Sequence, residues 1–105
     1  MKRRFIILVD PENAPRAVRD EITKMLRDFG SWWHRFPYVW LLRAGREGLV
    51  TREIRDAITE IAPDIEVLVL RLPAGRSGWA GHGKPEKFNW IGLFWNLNEE
   101  DEDQI

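Results

Sequence analysis

Asp10 closes the first apolar run of the chain, Arg4-Phe-Ile-Ile-Leu-Val-Asp10, and is the residue best placed to do chemistry. A carboxylate at a strand end is a common position for a metal ligand or an acid. Two copies of Asp10 across a two-fold axis would share one Mg²⁺, a hard ion that prefers carboxylate and water oxygens. The competing role is local, because an Asp side chain readily bonds the backbone amide two residues on and so caps a turn. Glu12 is near enough in sequence to serve as a second ligand. His34, in Gly30-Ser-Trp-Trp-His34, is the other titratable candidate. If Trp32, His34 and Phe36 share a strand face, the imidazole sits among aromatics. It is then either a hydrogen-bonded, partly buried side chain or a general base. His82 has no second His, Cys or acid at a metal-ligand spacing.

The glycine-rich stretch Gly75-Arg-Ser-Gly-Trp-Ala-Gly-His-Gly-Lys84 could present backbone amides to a phosphate, flanked by Arg76 and Lys84. It is not a Walker A loop, because Pro85 stands where Ser or Thr should follow the Gly-Lys pair, and no βαβ crossover follows to make it a dinucleotide fingerprint. Its other role is a mobile loop that docks Trp79 on the sheet or on a partner. Arg35, Arg43, Arg76 and Lys87 lie among aromatics, a mixture that neutralises phosphates while rings stack on bases. With Trp79 and Lys84 they form the candidate nucleic-acid or partner surface. The Lys/Arg-Gly-Phe-Gly-Phe pattern of ferredoxin-like RNA binders is absent, and six tryptophans also suit a core and a dimer interface.

Positioning these residues takes six elements. Phe5, Ile7 and Val9 alternate with Ile6 and Leu8, so the first strand is apolar on both faces, the signature of a central strand covered on both sides. Pro11 breaks it. Asn13 is a candidate N-cap and Pro15 suits a first helical turn. Val18, Ile22, Met25, Leu26 and Phe29 then follow at helical spacing, and Gly30 ends the helix. Residues 31–36 and 38–43 are the next two strands, turning at Pro37. In the second of them Tyr38, Trp40 and Leu42 share one face, Val39 and Leu41 the other. After the loop Ala44-Gly-Arg-Glu-Gly48, Thr51 caps a helix with Ile54, Ile58 and Ile61 as its stripe, stopped by Pro63-Asp64. Residues 65–72 form a β-branched fourth strand. The loop at 73–83 follows, and a last helix opens at Pro85.

The order strand, helix, strand, strand, helix, strand is the ferredoxin-like βαββαβ plan, an α+β fold with two helices on one face of a four-stranded antiparallel sheet. Its first and third strands are central, and those are the two strands read as apolar on both faces. Two helices cover one face only. The other must be covered by the C-terminal aromatic segment (Trp79, Phe88, Trp90, Phe94, Trp95), by a second copy of the chain, or by both.

A length of 105 residues gives one domain, here residues 1–98, able to bury roughly 65% of its unfolded surface. With no cysteine there is no disulfide, thiolate nucleophile or thiolate metal site, which fits a reducing cytoplasm. The apolar run at 5–9 after a basic start is shorter than the roughly 7–15 residues of a signal-peptide core, and no stretch approaches a membrane span. Sixteen basic and seventeen acidic residues nearly cancel, but five of the acids form the run Glu99-Glu-Asp-Glu-Asp103. Without it sixteen basic residues face twelve acidic ones, a net +4. Residues 99–105 read as an acidic disordered tail, either simply solvated or acting as a decoy that competes with nucleic acid for a basic face.

The first strand ending in Asp10, Gly30-Ser-Trp-Trp-His34, Val39-Trp-Leu-Leu42, Glu53-Ile-Arg-Asp56 and Gly78-Trp-Ala-Gly81 together resemble small bacterial SinR-like proteins. These are similar in fold to the Cas2 proteins of CRISPR systems, and the resemblance covers about residues 4–95. It implies a ferredoxin-like homodimer, either a metal-dependent endonuclease or a non-catalytic scaffold. Components of toxin–antitoxin systems that cleave messenger RNA share the fold. It also implies that Asp10 lies where Cas2-like proteins place an acidic residue at the dimer interface. The chain departs from Cas2 in its tryptophan-rich loop, its acidic tail and its lack of a strongly basic surface. The resulting expectation is a cytoplasmic Cas2-like homodimer with a nucleic-acid-linked role. If it cuts, it is an Mg²⁺-dependent phosphodiesterase or endoribonuclease using Asp10 and His34. The alternative is a non-enzymatic protein-interaction or scaffold module.

Overall fold

The computed structural model describes residues 2–97. The acidic tail read at 99–105 lies outside them. Strand β1 (Arg4–Val9) is followed by helix α1 (Arg16–Leu26), strands β2 (Gly30–Phe36) and β3 (Val39–Ala44), helix α2 (Thr51–Ile61) and strand β4 (Val67–Arg71). A 3₁₀ turn at Pro85–Phe88 and a widened helical turn at Ile91–Trp95 complete the chain. The sheet runs β2-β3-β1-β4 with every pairing antiparallel. This is the α+β arrangement expected from the sequence, with the doubly apolar strands β1 and β3 at its centre. Among the described residues no helix is long and apolar enough to cross a membrane.

The helix-covered face holds the main core. Phe5, Ile7 and Val9 of β1 and Trp40, Leu42 and Ala44 of β3 meet Ile22 and Leu26 of α1 and Ile54 and Ile58 of α2, all buried. These are the i, i+3, i+4 positions that the sequence offers on each helix. Trp40 is wholly buried, and its indole Nε1–H donates to Thr23 Oγ1 at 2.9 Å, so the largest core side chain carries no stranded donor.

Several boundaries differ from the sequence reading, each for a local reason. Asn13 does not cap α1. It takes a left-handed backbone (φ 63°) in the turn after Pro11, and its amide donates to Asp64 O. Pro15 is the N-cap, and its missing N–H makes it harmless there. The helix ends at Leu26 and continues as turns, with the Phe29 amide bonding Leu26 O, so Gly30 is the first residue of β2 and not a helix terminator. Thr51 is the first residue of α2, with Val50 as its cap. The last helix does open at Pro85, as expected, and runs through helical Asn89 and Trp90 into the widened turn at Ile91–Trp95.

Gly30 is required by close approach. A Cβ there would lie 2.1 Å from the Arg43 carbonyl oxygen, with only backbone around it. Gly30→Ala is therefore expected to wedge apart the start of the β2–β3 pairing, lowering stability by about 1–3 kcal/mol. Urea denaturation measures it, and an unchanged midpoint would show that the ladder shifts at no cost.

The second face is half covered. Trp33, Ile91 and Trp95 form a small separate core with Ile6, Leu41, Leu72, Phe88 and Trp90 around it. The C-terminal segment is thus the cover anticipated for this face, but it does not reach all of it. Leu8, Leu68 and Leu70, on β1 and β4, remain 37%, 52% and 46% exposed.

Candidate functional site

Asp10 follows β1, and its amide donates to Glu66 O at 3.0 Å. Its Oδ1 accepts the Glu12 amide at 2.9 Å, the capping geometry open to an Asp two residues before a turn amide. Both Asp10 and Glu12 are exposed. Among the described residues no group of three His, Cys, Asp or Glu side chains gathers in a way that could hold a metal ion. The donor set of one chain's described residues therefore does not fit Mg²⁺, which needs several oxygen ligands. A shared ion would require Asp10 of a second copy.

His34 lies far along the sheet order from Asp10, on edge strand β2. Its ring lies parallel to Trp40, 4.2 Å between centroids at 3°, and its Nδ1 is 3.0 Å from Val39 O. A neutral ring donates its Nδ1–H there and keeps Nε2 as an acceptor. Burial holds the imidazole below its ordinary value. The Val39 bond pulls upward, nearby Arg19 pulls down and Asp20 up. The unfolded chain therefore takes the proton more readily than the folded one. The stability carried by the neutral ring is fully present above the ordinary value of 6.5 and is lost as pH falls toward the folded value. His34→Gln, which retains a donor, is expected to flatten the fall of Tm between about pH 7 and pH 5. An unchanged slope would assign the acid sensitivity to other groups.

Phe36 does not share the face of Trp32 and His34. The β2–β3 register shifts between Trp33 and Phe36, and a bulge re-aims the residues beyond it. Phe36 instead meets Trp33 edge-on at 5.0 Å. With Ile6, Leu41, Trp79 and Phe88 it lines an open apolar cavity of about 300 Å³ between the sheet and the glycine-rich loop. The loop docks through Trp79, whose ring is 6.2 Å from Phe88. Gly81 lies under the Phe88 ring, where a Cβ would come within 2.8 Å of it. Arg76, Lys84 and Lys87 are exposed at the ends and flank of this segment, and Arg35 is exposed on β2. Lys87 contributes its carbonyl to the fold, accepting the Trp33 Nε1–H.

Arg43 is unlike the other cations of that set. It is 6% exposed, and its Nη2 donates to Leu97 O at 2.9 Å. Directly opposite it in the β1–β3 register stands Arg4, 1% exposed. Arg4 donates to Asn96 Oδ1 at 2.9 Å, to Pro73 O at 3.1 Å and to Gly75 O, and lies 5.4 Å over the Trp95 ring. Burial, then the Arg43 charge, lowers the Arg4 pKa, though a guanidinium keeps its proton. Lys2, Arg3, Arg4 and Arg71 border one small cleft with Pro73 and Ala74. The sequence reading missed this basic end. By sequence alone Arg4 is only the start of a strand. The signal was the antiparallel pairing itself, which sets the Arg4 row beside the Arg43 row.

No protein-family model matches the chain, and no curated protein or solved structure matches it either.

Proposed function

We propose that this chain works as a homodimer in a nucleic-acid-linked role, of the kind its Cas2-like resemblance implies. The observation that carries the reading is the uncovered half of the second sheet face. Leu8, Leu68 and Leu70 form a contiguous exposed apolar patch on adjacent strands: Leu8 and Leu68 are paired in register. Such a patch favours an interface, and a two-fold pair is the commonest one. Asp10 continues the alternation of Ile6 and Leu8, two residues beyond the patch. A second copy seated on that face would bring two Asp10 carboxylates toward one axis, and a phosphodiesterase activity would depend on that pairing with Mg²⁺.

Light scattering on the wild type and on Leu68→Glu tests the assembly. The wild type is expected to have the mass of two chains and the variant that of one. Incubation with single- and double-stranded RNA and DNA, with Mg²⁺ or EDTA, tests the role. Salt-sensitive binding is expected, and any cleavage is expected to vanish in EDTA and in Asp10→Asn. Cleavage that survives Asp10→Asn would remove the paired-carboxylate mechanism.

A second reading, a non-enzymatic protein-interaction module, is favoured by the local bonds of the two titratable candidates. Asp10 Oδ1 already holds the Glu12 amide and His34 Nδ1 is engaged by Val39 O. A dimer that neither binds nor cuts nucleic acid would select it.

A further inference from the structure

The cavity between the sheet and the glycine-rich loop is bordered by three parts of the chain. Ile6, Val39 and Leu41 form its sheet side. Phe88 and Ile91 come from the C-terminal turns, and Trp79 and Ala80 from the loop. Its volume of about 300 Å³ meets the lower end of small-molecule sites, about 300–1,000 Å³. A dry apolar cavity of about 150 Å³ takes up benzene. A space twice that size suits a fused pair of rings.

The lining also selects the chemistry. Among the described residues no charged side chain borders the cavity, and the Trp33 indole N–H is already bonded to the Lys87 carbonyl. A carboxylate, phosphate or ammonium entering here would lose its water with nothing to replace it. A nucleobase would leave ring nitrogens and carbonyl oxygens without side-chain partners, at a similar cost. An uncharged hydrocarbon ring loses no hydrogen bond. Trp33 and Phe88 offer it near-parallel rings, at 20° to each other, and Phe36 stands edge-on to Trp33. Offset-stacked and edge-on contacts are the ones aromatic rings prefer.

The loop supplies the way in. At one end Asn96 bonds both the amide and the carbonyl of Ser77, at 2.7 and 2.8 Å. At the other the Lys87 amide donates to Lys84 O at 3.0 Å. Among the described residues no hydrogen bond holds residues 78–83 between those points, and three of these six are glycine. Trp79 rests on Phe88 by ring contact and is 45% exposed. A segment pinned at both ends and unbonded between them opens locally at low cost.

We propose that this cavity binds a small, uncharged, fused-ring aromatic molecule, and that residues 78–83 are the flap that admits it. The site rests on neither the dimer nor the nucleic-acid role.

Calorimetric titration of the full chain with naphthalene tests it, beside 2-naphthoate, which carries a carboxylate on the same rings. One naphthalene per chain is expected, with 2-naphthoate at least about tenfold weaker. Ala80→Trp places a large ring on the exposed flap, outside the core. It is expected to weaken naphthalene binding at least about tenfold by filling the cavity, with an unchanged urea midpoint. Leu68→Glu, on the open leucine patch, is expected to bind naphthalene as the wild type does. No binding, equal binding of 2-naphthoate, or binding untouched by Ala80→Trp would overturn the assignment. Binding lost in Leu68→Glu would overturn it too, by placing the ring on the leucine patch or between two copies.

Discussion

Trp40→Ala is expected to cost about 3–5 kcal/mol, the range for removing a large buried aromatic side chain. A domain of this kind has about 5–15 kcal/mol in total, so the substitution removes at least about a fifth of it. Three effects combine at this one residue. The ring is wholly buried between the helices and the centre of the sheet. It carries the His34 imidazole on its face. Its N–H ties β3 to α1 through Thr23, whose hydroxyl in turn donates to Arg19 O. Urea denaturation followed by far-UV circular dichroism should show a lower midpoint at an unchanged slope. Trp40→Phe keeps most of the apolar burial and loses only the Thr23 link, so a loss of about 1–2 kcal/mol is expected, since Thr23 keeps its own bond. Equal effects from the two variants would mean that the hydrogen bond, and not the ring volume, dominates.

Arg4→Ala should have the second-largest effect, and a different character. The side chain gives three hydrogen bonds, to Pro73, Gly75 and Asn96, and bonds to a charged donor contribute about 1.5–3 kcal/mol each. Against this stands relief from Arg43. Like charges that approach across a strand pair repel, which offsets part of that gain. Three bonds against one like-charge neighbour leave a net loss, expected at about 2–5 kcal/mol. The loss should be local. Arg4 ties the start of the glycine-rich loop to the last turn, where Asn96 also bonds both the amide and the carbonyl of Ser77. Its removal is expected to free the segment at 73–97 while the helix-side core stays folded. Limited proteolysis should cut within 73–84, and tryptophan emission should shift red as Trp33 and Trp95 become wet. Protection equal to wild type would mean that Asn96 and the small aromatic core hold the segment without Arg4.

Much of the fold was legible along the chain because its signals are periodic and local. Ile22 with Leu26 and Ile54 with Ile58 recur at helical spacing, and they are the buried residues of α1 and α2. The double apolar alternation of Phe5–Val9 and Tyr38–Leu42 marked the strands that became central. Even the missing cover of the second face could be anticipated from the imbalance between two helices and two apolar faces. Boundaries were less legible. Asn13 and Gly30 carry types that serve several backbone roles, and their neighbours in space chose among them.

The candidate site was legible only as a set of residue types. Asp10, just past the end of β1, and His34, on β2, stand out by type, yet no local pattern says that one meets the Glu12 amide and the other lies flat on Trp40. A single shift of register between Trp33 and Phe36 moved Phe36 to the opposite face from the one its alternation indicated. Arg43 was grouped with exposed cations, because sequence cannot show that a charged residue on a central strand is roofed by a segment more than fifty positions away. What the sequence by itself determined is the order of elements, the two-layer α+β plan and the need for a cover on the second sheet face, since these follow from hydrophobic period and turn chemistry. Only the tertiary structure decided that the C-terminal segment covers half of that face and leaves Leu8, Leu68 and Leu70 open. It also brought Lys2, Arg3, Arg4, Arg43 and Arg71 to one end. Both depend on which strand ends become neighbours when the sheet closes, a long-range pairing that no window of the chain contains.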